Sequence, residues 1–156
     1  MPADQLYKIS YDEAVRALSE QQQAVDSFHA RAGLVFSAAA ITTSFLGAEA
    51  LRDGYLNLAS WLAILCFAAV AIASLAVLWP RGRYVTATPR DVIDTYVESA
   101  EPVPIESLHR DLSIHMQDSY LENSKELRKL IVFLQVASVF LAIEVLLWIA
   151  AVATAS

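Results

Sequence analysis

Only one of the 156 residues is a cysteine, Cys66, so the chain can close no internal disulfide and build no Cys-ligated metal site alone. A single thiol inside an apolar stretch reads as a small buried hydrophobe. Histidine is nearly as scarce. His29, His109 and His115 all lie outside the long apolar stretches, which excludes a haem held by axial ligands within a membrane. There is no Gly-rich phosphate loop, no HExxH, no Ser-His-Asp grouping and no acidic cluster with metal spacing. Neither enzymatic chemistry, nor a cofactor, nor a metal is expected. A basic excess is also missing, since 17 acids face 11 Lys and Arg for a net charge of −6. Nucleic acid is therefore not an expected partner. A signal peptide is not expected either, because the first apolar run starts only at Gly33, behind an acidic, Gln-rich segment.

Charge is absent where it matters most. No side chain is charged between Leu34 and Ala48, and none between Leu56 and Trp79. At about 1.5 Å rise per helical residue, roughly 20 residues cross the hydrocarbon core. Three runs meet that length: Gly33–Ala50, Leu56–Trp79 and Leu130–Ala153, the last interrupted once by Glu144. The chain is expected to be an all-α integral membrane protein with three transmembrane helices, 33–50, 56–79 and 130–153. A tight external turn at 51–55 and a cytoplasmic helical segment at 80–129 connect them, and 1–156 is expected to form a single unit.

Lys and Arg set the orientation. The first connection holds one base, Arg52, and the other ten lie in the N-terminal segment and the middle loop. Arg31, Arg81, Arg83, Arg128 and Lys129 crowd the span ends on that side. The positive-inside rule places the N-terminus and middle loop in the cytoplasm and Thr154–Ser156 outside. Trp61, Trp79, Tyr55 and Tyr84 suit an aromatic belt. The lipid bilayer is the first expected partner.

The cytoplasmic segments read as stalks. Ser10-x-x-Glu13 resembles a capping box ahead of an amphipathic helix over 10–32. Its apolar side runs Ala14/Val15, Leu18, Gln22, Val25, Phe28/His29 and Ala32. No breaker except Gly33 separates it from the first span. Pro80-Arg81-Gly82-Arg83 ends the second span, and Thr88-Pro89-Arg90-Asp91 predicts a short helix to about Ser99. Glu101-Pro102-Val103-Pro104 makes a stiff kink. A second stalk then starts at Pro104 or Ile105 and runs unbroken into the third span. Gln22, His115 and Asn123 interrupt the seams, as residues that fix register or oligomer state do.

Glu144 is the sharpest residue. A carboxyl inside a span normally faces protein or water rather than lipid. Counting depth from the inner surface sets it level with Ser44–Gly47 and Cys66, with Thr42, Thr43 and Ser44 as hydrogen-bond candidates. One reading makes it a pore-lining or proton-accepting acid, with Glu49 near the outer mouth. The other makes it a neutral carboxyl that ties helices together. The first span carries the small-xxx-small pairs Gly33/Ser37, Ala40/Ser44, Thr43/Gly47 and Ser44/Ala48. These and the stalks point to a homo-oligomer.

The run Glu20-Gln21-Gln22-Gln23-Ala24-Val25-Asp26-Ser27-Phe28-His29-Ala30-Arg31-Ala32-Gly33 leads directly into that span. It resembles the segment that precedes the first span in Pycsar transmembrane effectors (PycTM-like), small bacterial membrane proteins with an EQ-x-x-x-D-x-x-x-x-[KR]-A/G pattern. Tyr120, Asn123, Leu127 and Lys129 fall where that family has a Tyr/Asn-containing helix. The chain is less closely similar to the SLATT effectors. The resemblance implies anti-phage defence, in which a cyclic pyrimidine nucleotide binds the effector and the membrane is breached. Arg16, Arg31, Arg81, Arg83, Arg90 and Asn123 are then the groups expected to meet phosphate or base. The rival expectation is a non-enzymatic adaptor whose cytoplasmic bundle holds a protein partner. A holin-like protein would keep less mass outside the bilayer.

Overall fold

The computed structural model describes residues 3–50, 52, 56–79, 89–97 and 103–155, and nearly all of these are helical, with no strand among them. Helix α1 covers Ala3–Ala50, α2 Leu58–Leu78, α3 Pro89–Val92 and α4 Ile105–Ala155; α3 continues as a π-helical stretch, Ile93–Val97. Three of these helices, α1, α2 and α4, are long and apolar enough to cross a membrane. The external turn at 51–55 (apart from Arg52), the segment from Pro80 to Thr88, Tyr55, Tyr84 and the start of the Pro-rich kink lie outside the described residues.

The helix boundaries follow from local chemistry. The capping box at Ser10 does not cap, because α1 already begins at Ala3. Nothing from Ala3 to Ile9 breaks a helix, so the helix extends back through Ser10. α2 starts two residues later than its apolar run, where Asn57 has an extended backbone and its side-chain oxygen accepts from the Ser60 amide at 2.8 Å. At its other end the Trp79 amide donates to the Leu75 carbonyl. α4 opens where the proline signal places it, with the Pro104 carbonyl accepting from the Ser107 and Leu108 amides. α3 begins at Pro89, as expected of proline at a first helical position.

Instead of the single unit expected over 1–156, the chain packs as two compact units. The first, a polar unit, comprises Met1–Val25 and Arg81–Leu127. In it the early part of α1 turns Tyr11, Ala14, Leu18, Gln21 and Val25 inward, with Met116 and Ser119 buried on α4. That three-four spacing is a coiled-coil seam. The expected seam residue Gln22 is exposed and Gln21 takes its place. The Gln21 side-chain amide donates to the Tyr120 carbonyl at 3.0 Å and to Ser124 Oγ at 2.8 Å. His115 is exposed, whereas His109 stacks near Tyr11 with ring centroids 5.5 Å apart.

The second, an apolar unit, comprises Asp26–Pro80 and Arg128–Ser156. Its interior is rich in small residues: Ala32, Ala39, Ala63, Ala73, Ala137 and Ala151 are buried, together with Ser60 and Ser74, beside the bulkier Val70, Val77, Leu130 and Trp148. α1 and α4 run alongside each other in the same direction and α2 runs opposite, so Ala50, Ala63, Trp148 and Ala151 meet in one cluster. Bulk points outward instead. Leu34 is 71% exposed, Leu65 63% and Leu146 67%. In water such a surface would drive association. In lipid, where apolar burial gives helices no drive to pack, small residues that let backbones approach supply the contact instead.

Candidate functional site

Thr43 and Gly47 stand one turn apart on α1, and Glu144 and Trp148 one turn apart on α4. The two pairs face each other. Thr43 Oγ1 donates to Glu144 Oε1 at 2.6 Å, and Trp148 Nε1 donates to Thr43 Oγ1 at 3.2 Å. Gly47 supplies the floor for the indole: a Cβ there would lie 3.2 Å from the Trp148 ring. Glu144 is 0% exposed and Trp148 1%. Cys66 of α2 is buried within electrostatic reach of the carboxyl.

The chain of donors is one short. Glu144 Oε2 is buried, and among the described residues no donor meets it with good hydrogen-bond geometry, although the Trp148 indole lies within reach of the carboxyl. If the carboxyl is neutral with its proton on Oε1, it can donate to Thr43 Oγ1 and leaves Oε2 a carbonyl oxygen without a donor; if ionised, Oε2 is an anionic oxygen without one. Either way a buried polar atom is unpaired, which costs about 1–3 kcal/mol. The site can therefore accept one further donor, acceptor or proton, and it gains by doing so.

Thr43 is the partner that depth counting offered for Glu144, whereas Ser44 is not. Ser44 is exposed and returns its hydroxyl to the Ala40 carbonyl at 2.7 Å. The Thr43/Gly47 pair is thus used within one chain. Gly33 sits in open space, with Ser37, Ser44 and Ala48 exposed on α1. Glu49 lies exposed and pairs with Arg52 at 3.0 Å. Above the carboxyl, Asn57 closes the bundle: its amide donates to Thr154 Oγ1 at 2.8 Å and to the Ala151 carbonyl at 3.3 Å.

The arginines proposed for a phosphate are differently placed. Arg16 is engaged by Glu13 at 3.0 Å and Glu20 at 3.6 Å, and Arg90 by Asp94 at 3.6 Å. These exposed pairs contribute little to stability. Arg31 is exposed, Asn123 is half-buried on α4, and Arg81 and Arg83 lie outside the described residues. Within the polar unit a groove of about 510 Å³ runs between α1 and α4, lined by Ser10, Glu13, Ala17, Ile114, Gln117 and Asp118. Nearby, the Tyr96 hydroxyl donates to Asp111 Oδ2 at 3.0 Å. Burial first, then that bond and the Asp111 charge, push the Tyr96 hydroxyl above the usual tyrosine range.

Sequence reasoning passed over Trp148, Asn57 and Gln135. Asn57 had a signal, an N-cap residue before an apolar run. Gln135 had another, as the one amide side chain well inside a span. Comparison of the chain with protein-family models, with curated proteins and with solved structures finds no match.

Proposed function

We propose that the protein is an oligomeric effector of the bacterial inner membrane, whose cytoplasmic helices receive a signal and whose three spans respond by impairing membrane integrity. The observation that carries this reading is Glu144, fully buried in the apolar unit with one oxygen unpaired. An anchor gains nothing from such a group, because an apolar side chain of similar size would pack there without the penalty. Intramembrane acids kept at a cost belong to proton paths, ion paths or moving parts. The apolar exterior of the three-helix unit supports its place in lipid, and the Lys and Arg distribution supports a cytoplasmic N-terminus. By resemblance the signal is a cyclic pyrimidine nucleotide.

The test is inducible expression with a potential-sensitive dye. Phage infection or added cyclic pyrimidine nucleotide is expected to depolarise cells carrying the wild type, and Glu144→Gln to reduce that response at least tenfold. A wild type that never depolarises, or a Glu144→Gln chain that responds equally, defeats the proposal.

A second reading, a membrane adaptor, is favoured by the groove between α1 and α4. Two carboxylates, Glu13 and Asp118, and the exposed Ile114 line it. That lining suits a basic amphipathic helix better than an anionic nucleotide. The adaptor reading expects crosslinking from Ile114 to capture one protein, Ile114→Glu to abolish capture, and no depolarisation.

A further inference from the structure

Two exposed hydroxyls within the apolar runs of this unit bond to their own helix. Ser44 donates to the Ala40 carbonyl at 2.7 Å and Ser138 to the Leu134 carbonyl at 2.8 Å. Gln135 breaks that pattern. It is exposed on α4, and no hydrogen bond reaches its amide among the described residues. Four buried positions of α4 in this unit, Leu130, Ala137, Glu144 and Ala151, recur every seventh residue, and buried Trp148 lies one turn past Glu144. Gln135 lies five residues past Leu130, on the side of the helix turned away from that seam. No rotamer brings it into its own bundle.

Gln135 follows Lys129 by six residues, about 9 Å along a helix at 1.5 Å per residue, so its amide sits inside the expected third span rather than among the charges that precede it. Hydrocarbon offers no partner for two N–H donors and a carbonyl. Around it the same face carries Val132 and Val139, both more than half exposed. The face is therefore one that lipid covers poorly at one point and well elsewhere.

We propose that Gln135 marks the face of α4 through which copies of this chain associate in the membrane, amide to amide. Two copies inserted the same way hold this residue at the same depth, and an amide is both donor and acceptor, so the group complements itself. A lipid tail offers neither group. Val132 and Val139 flank the amide and pack against their counterparts. The inference rests on the membrane placement proposed above, and not on the effector role. It moves the expected contact from the small residues of α1 to the outer face of α4.

The experiment uses the full chain, labelled at its N-terminus with donor or acceptor dye and reconstituted in phosphatidylethanolamine/phosphatidylglycerol vesicles. Energy transfer is followed as lipid dilutes the protein. The wild type is expected to associate, Gln135→Leu to weaken association at least tenfold, and Gln135→Asn to retain most of it. Protease protection and Trp148 emission check insertion and folding; should Gln135→Leu fail them, Val139→Trp replaces it and is expected to weaken association as strongly. A wild type that inserts but stays monomeric overturns the inference. So does a Gln135→Leu chain that associates like the wild type, or loss of association in Ser44→Leu alone. A wild type that fails to insert overturns the membrane placement itself.

Discussion

Replacing Glu144 with leucine separates a tie between helices from a group kept for function. In the wild type, Glu144 Oε1 receives one bond from Thr43 and Oε2 receives none. Leucine removes the Thr43 bond, and cross-helix bonds of this kind in membranes average about 0.6 kcal/mol. The released Thr43 hydroxyl turns to a carbonyl of its own helix, as Ser44 and Ser138 already do. Against that loss stands removal of an unpaired buried oxygen, which returns about 1–3 kcal/mol. The two side chains are close in volume, so repacking stays below about 1.5 kcal/mol. The expected result is a bundle at least as stable as the wild type, with a gain on the order of 1 kcal/mol set by the released oxygen. Unfolding in mixed micelles, read by Trp148 emission in a Trp61→Phe, Trp79→Phe background, measures it. A loss of about 2 kcal/mol or more, typical of breaking a satisfied buried polar group, would show that Oε2 has a partner in the native membrane and that Glu144 is a tie.

Gly47→Ala pushes a Cβ to 3.2 Å from the buried indole, and overpacking of this kind should destabilise the apolar unit by about 1–3 kcal/mol. Gly33→Ala meets nothing within 4 Å, so it should stabilise the helix by about 0.5–1 kcal/mol; the same unfolding assay reads both, and equal effects would refute the packing. Asn57→Ala removes an N-cap that also holds Thr154. A loss of about 0.5–2 kcal/mol is expected, with faster amide exchange in the first turn of α2; unchanged exchange would deny the cap. Tyr96 donates to Asp111 only while neutral, and its hydroxyl titrates above the ordinary range. This contribution should be full below about pH 10 and fade as pH rises through the raised value. Tyr96→Phe should abolish the alkaline step in helix content, and a step that survives would assign it elsewhere.

The number of helices long and apolar enough to cross a membrane, the start of α4 and the position of Glu144 within one of them were legible because each rests on a strong local signal. A run without charge, a proline pair and a lone carboxyl among apolar residues leave few options. The seam was harder. Ala14/Val15 and Gln21/Gln22 offer alternatives one residue apart, and Val15 and Gln22 both proved exposed. One residue is about 100° around a helix, enough to exchange the inner and outer faces. A count of sevens from Leu130 through Ala137 to Glu144 and Ala151 would have put the carboxyl on the inner seam. Inside an apolar run, however, hydropathy does not distinguish the inner face from the lipid face. Residue size does so better: most buried positions are alanine or serine, and most leucines and isoleucines face out. The missing capping function of Ser10 has a different cause. A cap works only where the helix stops, and the residues before Ser10 give it no reason to stop.

The indole of Trp148 seated on Gly47, with Thr43 and Glu144 one turn below, has a mechanical consequence for the apolar unit. A ring in a notch that one Cβ would fill leaves α4 no room to glide along α1 by a fraction of a turn. The next notch on α1 lies one or more turns away, at about 5.4 Å per turn. Displacement between these two helices therefore comes in whole clicks, and each click that empties the Gly47 notch also takes Glu144 off Thr43. The detent and the polar bond release together, so the two contacts resist sliding of α4 along α1 as one unit.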